Sequence, residues 1–217
     1  MIKKVISTAF ASEFTGTMLL LAIVTGSGIM GETLGAGNSG VALFGNSIAT
    51  GCGLYVLITL LAPLSGAHFN PVVSLLAWRN AALSTPHLLG YLVAQTTEAM
   101  IGVWLTHVLF VMPILQASSK PRHGLGIWIS EFVATLVLLG VIHLGVKNAQ
   151  EKVPMLVAMT VTAGYWFTSS TFFANPAVTL ARRSTDTFVG INPADVLGFV
   201  SAQLVACLLV MWITSKK

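Results

Sequence analysis

The chain has 217 residues, of which 55% are hydrophobic and 8% are charged, and its mean hydropathy is +0.84. Soluble domains carry about 25% charged residues, so this composition excludes an ordinary soluble enzyme. The net charge of +4 comes from lysines and arginines that lie mostly near the ends of apolar runs, which favours membrane topology over nucleic-acid binding as its explanation. These runs have about the 20 residues that a helix needs to cross a bilayer, and we expect an all-α membrane protein.

Six apolar runs predict six transmembrane helices, at about 5–30, 41–63, 87–113, 126–146, 153–169 and 193–214. Two further apolar segments, 68–79 and 174–183, are too short to span a bilayer. Asn-Pro near the start of each suits a helix N-terminus, because Asn caps the helix and Pro fits its first position. With short loops these elements fill nearly the whole chain, and we expect one domain over 1–217.

Three short motifs of the first half recur in the second half in the same order. Ser-Glu-Phe at 12–14 recurs at 130–132, Asn-Pro-Val at 70–72 as Asn-Pro-Ala at 175–177, and Tyr-Leu-Val-Ala-Gln at 91–95 as Phe-Val-Ser-Ala-Gln at 199–203. Each half, about 1–115 and 126–217, contains three predicted spans, so the second half must cross the membrane in the opposite sense. This predicts an inverted repeat whose functional site lies where the halves meet.

The placement of lysine and arginine predicts the orientation. With both termini inside, seven basic residues lie on the inner side and four on the outer side, which favours cytoplasmic termini. The inner set is Lys3, Lys4, Arg79, Lys147, Lys152, Lys216 and Lys217, and the outer set is Lys120, Arg122, Arg182 and Arg183.

The segments Ser-Gly-Ala-His-Phe-Asn-Pro-Val at 65–72 and Phe-Ala-Asn-Pro-Ala-Val at 173–178 resemble the two signatures of the aquaporin and glycerol-facilitator superfamily. This resemblance implies six transmembrane helices, two re-entrant half-helices, and a homotetramer in which each subunit has its own passive pore. It implies small neutral solutes and the bilayer as partners, with no nucleic acid and no cofactor. The pore motif residues are then Asn70, Pro71, Val72, Asn175, Pro176 and Ala177.

The motif also has a physical rationale. Two half-helices that meet end to end place two positive N-terminal dipole ends at one point, which repels cations and discourages proton passage. Asn70 and Asn175 can each offer an amide donor to a passing water or hydroxyl group. Val72 replaces the usual alanine of the first motif and adds two methyl groups near it.

The resemblance implies an outer constriction that normally contains an arginine directly after the second motif, where this chain has Val178. A wider ring without a fixed charge would admit larger neutral solutes. Arg182 and Arg183 lie about two turns further along the half-helix, and we expect them to anchor the outer interface. The other predicted filter residues are Thr50, Phe172 and one of Ala163, Gly164 or Tyr165.

Several polar residues have two interpretations. Glu13 and Glu131 lie inside apolar spans, where they either hold the re-entrant loops through hydrogen bonds or carry protons in a coupled transporter. His68 is either at the pore mouth or a buried structural residue. Glu98 has no counterpart in the repeat, and no spacing of residues indicates a metal site or a catalytic arrangement.

The stretch 165–171, followed by Asn-Pro-Ala-Val-Thr at 175–179, resembles bacterial aquaglyceroporin-like channels of arsenic-resistance operons. That subgroup implies passage of neutral arsenite and methylated arsenicals through the cell inner membrane. The residues themselves do not rank arsenite against glycerol, urea or water. The alternatives are a proton-coupled secondary transporter and a structural membrane protein with a closed pore.

Overall fold

A computed structural model describes the backbone of residues 2–215 and the side chains of residues 8–215. Over this range the chain forms eight α-helices, two single-turn 3₁₀ segments and no β-strand. The 3₁₀ segments are Gln150–Lys152 and Pro193–Asp195. The α-helices are α1 (Ile2–Gly35), α2 (Ser39–Ser65), α3 (Pro71–Arg79), α4 (Thr85–Leu109), α5 (Leu125–Asn148), α6 (Val153–Phe167), α7 (Pro176–Arg182) and α8 (Val196–Thr214).

Five of the six predicted spans are helices long and apolar enough to cross a membrane: α1, α2, α4, α5 and the segment Pro193–Thr214 that contains α8. The sixth, α6, has 15 residues and a length of about 22 Å. It ends two residues before the predicted boundary because Thr168 has an extended backbone.

The two short segments form half-helices as predicted. Asn70 caps α3 by accepting a hydrogen bond from the Val72 backbone N–H, and Pro71 is the first helical residue. Asn175 caps α7 in the same way, through the N–H groups of Ala177 and Val178. Each half-helix therefore begins at its asparagine cap, and its N-terminus lies inside the protein.

The packing follows the inverted repeat. Helix α1 packs on α2 and α4, α5 packs on α6 and α8, and α2 contacts α6 across the centre. Glycine permits the closest approaches: a Cβ on Gly102 would lie 2.3 Å from the Met18 carbonyl oxygen, and one on Gly51 would lie 1.9 Å from Thr162 Oγ1. Small residues at helix crossings are typical of membrane bundles.

The distribution of side chains suits a lipid environment, with apolar residues outside and polar residues inside. Large exposed side chains such as Leu60, Val93 and Leu197 cover the outside of the helices. Glu13, Gln95, Glu131 and Gln203 are completely buried instead. Polar groups that lipid cannot satisfy are therefore gathered in the interior, around the place where the half-helices meet.

Candidate solute pore

A cavity of about 1590 Å³ runs through the interior. The α5–α6 connection, including Lys152, lines one end, and Tyr165 and Arg182 line the other. Asn70 and Asn175 line the part between them. We call these the Lys152 end and the Arg182 end; they are opposite because Lys152 precedes α6 and Tyr165 lies near its C-terminus.

The two asparagines are held by a reciprocal pair of hydrogen bonds. Asn70 Nδ2 donates to the Ala174 carbonyl oxygen and Asn175 Nδ2 donates to the Phe69 carbonyl oxygen, both at 2.8 Å. Each Oδ1 is already used as a helix cap. Since an amide nitrogen carries two protons, each asparagine keeps one donor that can be offered to a molecule in the cavity.

The backbone just before each asparagine is strained. Phe69 has a φ of 49° and Ala174 a φ of 46°, in the left-handed region that side chains other than glycine rarely adopt. This conformation turns their carbonyl groups toward the opposite asparagine. Strain of this kind persists only where surrounding contacts hold it in place, and two buried carboxylates provide those contacts.

Glu13 holds the loop before α3. Its Oε1 accepts hydrogen bonds from the His68 backbone N–H and the Ser65 hydroxyl, both at 2.8 Å. Its Oε2 accepts from the Phe69 N–H and from Gln95 Nε2, both at 2.9 Å. Both oxygens are thus fully used inside the wall of the pore, and Glu13 is not among the residues that line the cavity.

Glu131 occupies the equivalent place in the second half. Its Oε1 accepts hydrogen bonds from the Ala174 backbone N–H and from Gln203 Nε2. Gln203 also donates to Thr179 Oγ1, as Gln95 does to Ser74 Oγ in the first half. The match is incomplete: Oε2 of Glu131 interacts with the Ser170 hydroxyl, but without the geometry of an ordinary hydrogen bond.

Four predicted filter residues come together toward the Arg182 end. Thr50, Tyr165, Phe172 and Val178 are all buried and line the cavity, and the Thr50 and Tyr165 hydroxyls are 3.2 Å apart. Of the α6 alternatives, Tyr165 reaches the cavity. Ala163 is exposed, and a side chain on Gly164 would meet the Phe172 ring.

The remaining motif residues do not reach the cavity. Val72 is fully buried and packs with residues of α5 and α8, including Leu139 and Cys207, so its two extra methyl groups point away from the pore. Pro71, Pro176 and Ala177 are also absent from the lining. The cavity does include His68, which is half-buried and whose Nδ1 lies 3.0 Å from Ser74 Oγ.

The structure corrects the expectation for Arg182. Its side chain is 2% exposed and lines the cavity, whereas that of Arg183 is exposed. The reason is helical spacing: Arg182 lies four residues, about one turn, beyond Val178 and therefore on the same face of α7. That spacing was visible in the sequence and would have predicted its position.

The comparisons with known proteins agree with this geometry. A profile of the family described as Major intrinsic protein matches residues 2–171, more than half of the chain. The chain belongs to the major intrinsic protein family. The second Asn-Pro-Ala motif lies beyond the matched residues, and the structure places it opposite the first.

Individual members of the major intrinsic protein family give the same result. The chain is 49% identical over 193 residues to aquaglyceroporin AqpS of Rhizobium meliloti (strain 1021), which covers 89% of this chain and 82% of that relative. It is 28% identical over 171 residues to a probable glycerol uptake facilitator protein of Thermotoga maritima, covering 71% and 72% respectively. The X-ray structure of the aquaglyceroporin from Plasmodium falciparum shows the same fold, with a TM-score of 0.74 over 95% of this chain and 96% of that one at 20% identity.

Membership of this family makes the protein a multi-pass membrane channel for small solutes and not an enzyme. The inverted repeat and the two half-helices are the parts of the fold that form its pore.

Proposed function

We propose that the protein is a passive channel for small uncharged solutes of about the size of glycerol. The observation that carries this proposal is the composition of the cavity wall. Among the described residues the lining has one acidic side chain, Glu151, at the Lys152 end, while Glu13, Glu98 and Glu131 lie outside it. A pore lined mainly by amides, hydroxyls and apolar groups, whose charged side chains are basic apart from Glu151, offers hydrogen bonds to neutral molecules and no cluster of acidic groups for a metal cation.

The predicted filter supports solutes larger than water. At the position that follows the second motif, Val178 contributes a short aliphatic side chain where an arginine would contribute a long charged one. Thr50 is likewise small, so Tyr165 and Phe172 are the bulky members of the ring. A ring of this composition leaves room for a polyol and interacts weakly with the hydration shell of an ion.

Glycerol-like polyols, neutral arsenite and methylated arsenicals, and water are the proposed solutes. The polyols are supported by the names of the aquaglyceroporin and glycerol facilitator relatives. The arsenicals are supported by the resemblance of residues 165–179 to channels of arsenic-resistance operons. As neutral polyhydroxy molecules, glycerol and arsenite present the same kind of hydroxyl surface to the pore.

We further propose a homotetramer in the cell inner membrane, with cytoplasmic termini and the Arg182 end outside. Lys147 and Lys152 line the Lys152 end of the cavity, which supports this orientation. The side chains of Lys3, Lys4, Lys216 and Lys217 are outside the described residues. The family resemblance supports the tetramer.

The test is stopped-flow light scattering of proteoliposomes that contain the purified protein, with water, glycerol and arsenite as separate osmolytes. We expect glycerol and arsenite to enter faster than into empty liposomes, at a rate proportional to the gradient. Absence of all three fluxes would support the structural protein with a closed pore.

The alternative of a proton-coupled transporter is tested in the same liposomes. Glu13 and Glu131 are engaged in the wall and have no access to the solute path, so we expect glycerol entry to be unchanged when a pH gradient is imposed or collapsed. Entry that depends on the gradient would favour the transporter.

A further inference from the structure

Two cations lie against one aromatic ring near the Arg182 end of the cavity: Arg182, which is buried, and Arg122, which is half-buried. The guanidinium carbons of Arg182 and Arg122 lie 3.4 Å and 5.1 Å from the centroid of the Phe173 ring. Within residues 8–215 the ion pairs are Lys120 with Glu32 and His123 with Asp195, so neither guanidinium has a carboxylate partner. A buried cation with no carboxylate in direct contact is costly, even where the charge of Glu131 acts on it from further away, and the burial of Arg182 therefore needs a reason.

Each nitrogen of the Arg122 side chain makes a hydrogen bond that holds the chain together. Its Nε donates to the Gly190 carbonyl oxygen at 2.8 Å, its Nη1 to Thr171 Oγ1 at 3.3 Å and its Nη2 to the Phe188 carbonyl oxygen at 3.4 Å. It is not part of the cavity lining. Arg122 therefore fixes the loops at the end of the pore and has little left to offer a solute.

Arg182 differs in what it leaves free. Its Nε donates to the Val189 carbonyl oxygen, which fixes the plane of the guanidinium against Phe173. Its Nη1 and Nη2 make no hydrogen bond with the described part of the chain. Both nitrogens keep some accessible surface at the cavity. Up to four N–H donors, two on each nitrogen, thus remain on a rigidly held group that borders the pore.

We propose that Arg182 forms a binding site for the hydroxyl groups of neutral solutes at this end of the pore, and so determines which solutes the channel prefers. This inference rests on the proposed channel function. Four residues along α7 separate the site from Val178 by about 6 Å, so a polyol meets the donors of Arg182 before or after it passes the aliphatic side chain. Donors fixed in advance replace the hydration that the solute loses, without the cost of ordering them at that moment.

The experiment compares two solutes of similar size, glycerol and propane-1,2-diol, which has one hydroxyl group fewer. Arg182→Met removes the charge and all the donors, Arg182→Lys keeps the charge without the planar fork, and Arg183→Met is the matched control at an exposed neighbouring position. Entry rates are measured by stopped-flow light scattering at equal protein content, with the rate of empty liposomes subtracted.

For Arg182→Met we expect glycerol entry to fall at least about threefold relative to propane-1,2-diol, because glycerol loses an additional hydrogen bond to a charged donor. Arg182→Lys should lower the same ratio less, and Arg183→Met should leave it at the parent value. If Arg182→Met slows both solutes by one common factor, Arg182 only spaces the loops and the inference is overturned.

If Arg182→Met assembles poorly, Arg182→Lys is the deciding variant. A lowered ratio of glycerol entry to propane-1,2-diol entry supports the site, and an unchanged ratio overturns it. Size-exclusion chromatography and the thermal unfolding temperature of each variant report assembly independently. A parent protein that passes neither solute would instead overturn the channel proposal itself, which is a different failure.

Discussion

Val178 and Arg182 share one face of α7 and both line the pore. Val178 contributes a short apolar side chain, and Arg182 contributes a charge one turn further along. An arginine directly after the motif would place a long side chain and its charge at the ring. This chain instead has the short apolar side chain of Val178 at the ring, with the guanidinium of Arg182 one turn further along. The guanidinium is held by Val189 and Phe173 and so does not swing back into the ring. We therefore propose that the pore combines a wide ring with a fixed donor group beside it.

Replacing Val178 with arginine should suppress glycerol and arsenite entry far more than water entry. The new side chain would narrow the ring beside Thr50 and Phe172, and it would add a second positive charge one turn from Arg182. A bulky solute would lose hydration without regaining contacts, and each unpaired polar group costs roughly 1–3 kcal/mol. Even the low end lowers the rate by about fivefold.

Parallel swelling and uptake measurements on the parent and Val178→Arg test this at equal protein content. Equal proportional loss of water and glycerol entry would mean that the variant blocks or misfolds. Unchanged glycerol entry would place the constriction elsewhere.

The two buried carboxylates should respond differently to conversion into glutamine. In Glu13→Gln one oxygen becomes an NH₂ group that faces donors, because both oxygens of Glu13 accept hydrogen bonds. In Glu131→Gln the NH₂ group can occupy the position of Oε2, where the Ser170 hydroxyl can turn to accept a hydrogen bond from it. We expect Glu13→Gln to cost about 2–3 kcal/mol more in stability.

Folded yield and thermal unfolding temperature of the two variants measure this difference, and swelling per folded channel is the accompanying control. Equal losses of stability would contradict it. A normal yield with no solute entry would point to a transport role for these carboxylates.

At the scale of elements, each half-helix is the product of three local features: an asparagine cap, a proline in the first position, and a left-handed residue before them. Phe69 and Ala174 bear the strain that turns their carbonyl groups toward the asparagine of the opposite half-helix. The half-helices α3 and α7 are consequently not free to rotate about their axes. Their N-terminal ends stay directed at the solute path.

Converting Asn70 or Asn175 to aspartate should weaken the exclusion of cations. A carboxylate at this position would offset the positive ends of the two half-helix dipoles, and it would lose the donor that binds the opposite loop. Sodium conductance in planar bilayers is the measurement, with the parent protein as reference. If both variants remain as cation-tight as the parent, the dipoles do not form the cation barrier of this pore.

Much of the fold could be predicted from the sequence because its signals are local. Hydrophobic length set five of the spans, and the Asn-Pro pairs set the half-helix starts. The register of α6 was not predictable, since the choice among Ala163, Gly164 and Tyr165 depends on how the loop before Phe172 folds. The burial of Arg182 departs from the general tendency of basic residues near helix ends to lie at the interface, because Arg182 shares the pore-facing side of α7 with Val178.

At the scale of the whole molecule, the connection between the two halves is fixed over the Arg182 end of the pore. Residues 110–124 link α4 to α5 and bind the α7–α8 loop through several backbone contacts, such as Ser118 N–H to the Arg183 carbonyl oxygen and Asn192 N–H to the Lys120 carbonyl oxygen. Asp195 accepts a hydrogen bond from the Arg122 backbone N–H. These contacts close the inverted repeat at the end opposite to Lys152.

Asp186 makes part of this closure dependent on pH. The backbone N–H of Ser119 donates to it at 2.8 Å and the Ser119 hydroxyl at 2.9 Å, and these bonds, with the nearby charge of Lys120, hold the pKa of Asp186 below its ordinary value of 3.8. A lowered folded-state pKa means that the stabilisation is fully present above about pH 4 and is lost as the pH falls through the lowered pKa.

Asp186→Ala should therefore lower the thermal unfolding temperature at pH 7 by about 1–2 °C, a small change because the carboxylate is exposed to solvent. The difference from the parent should shrink as the pH is lowered below 3.8, since the parent then loses the same interaction. Glu151→Ala, which removes an exposed carboxylate at the Lys152 end, is the matched control for the change in net charge. A difference that keeps its size in acid would show that Asp186 acts through packing and that charge does not fasten the two halves at this end.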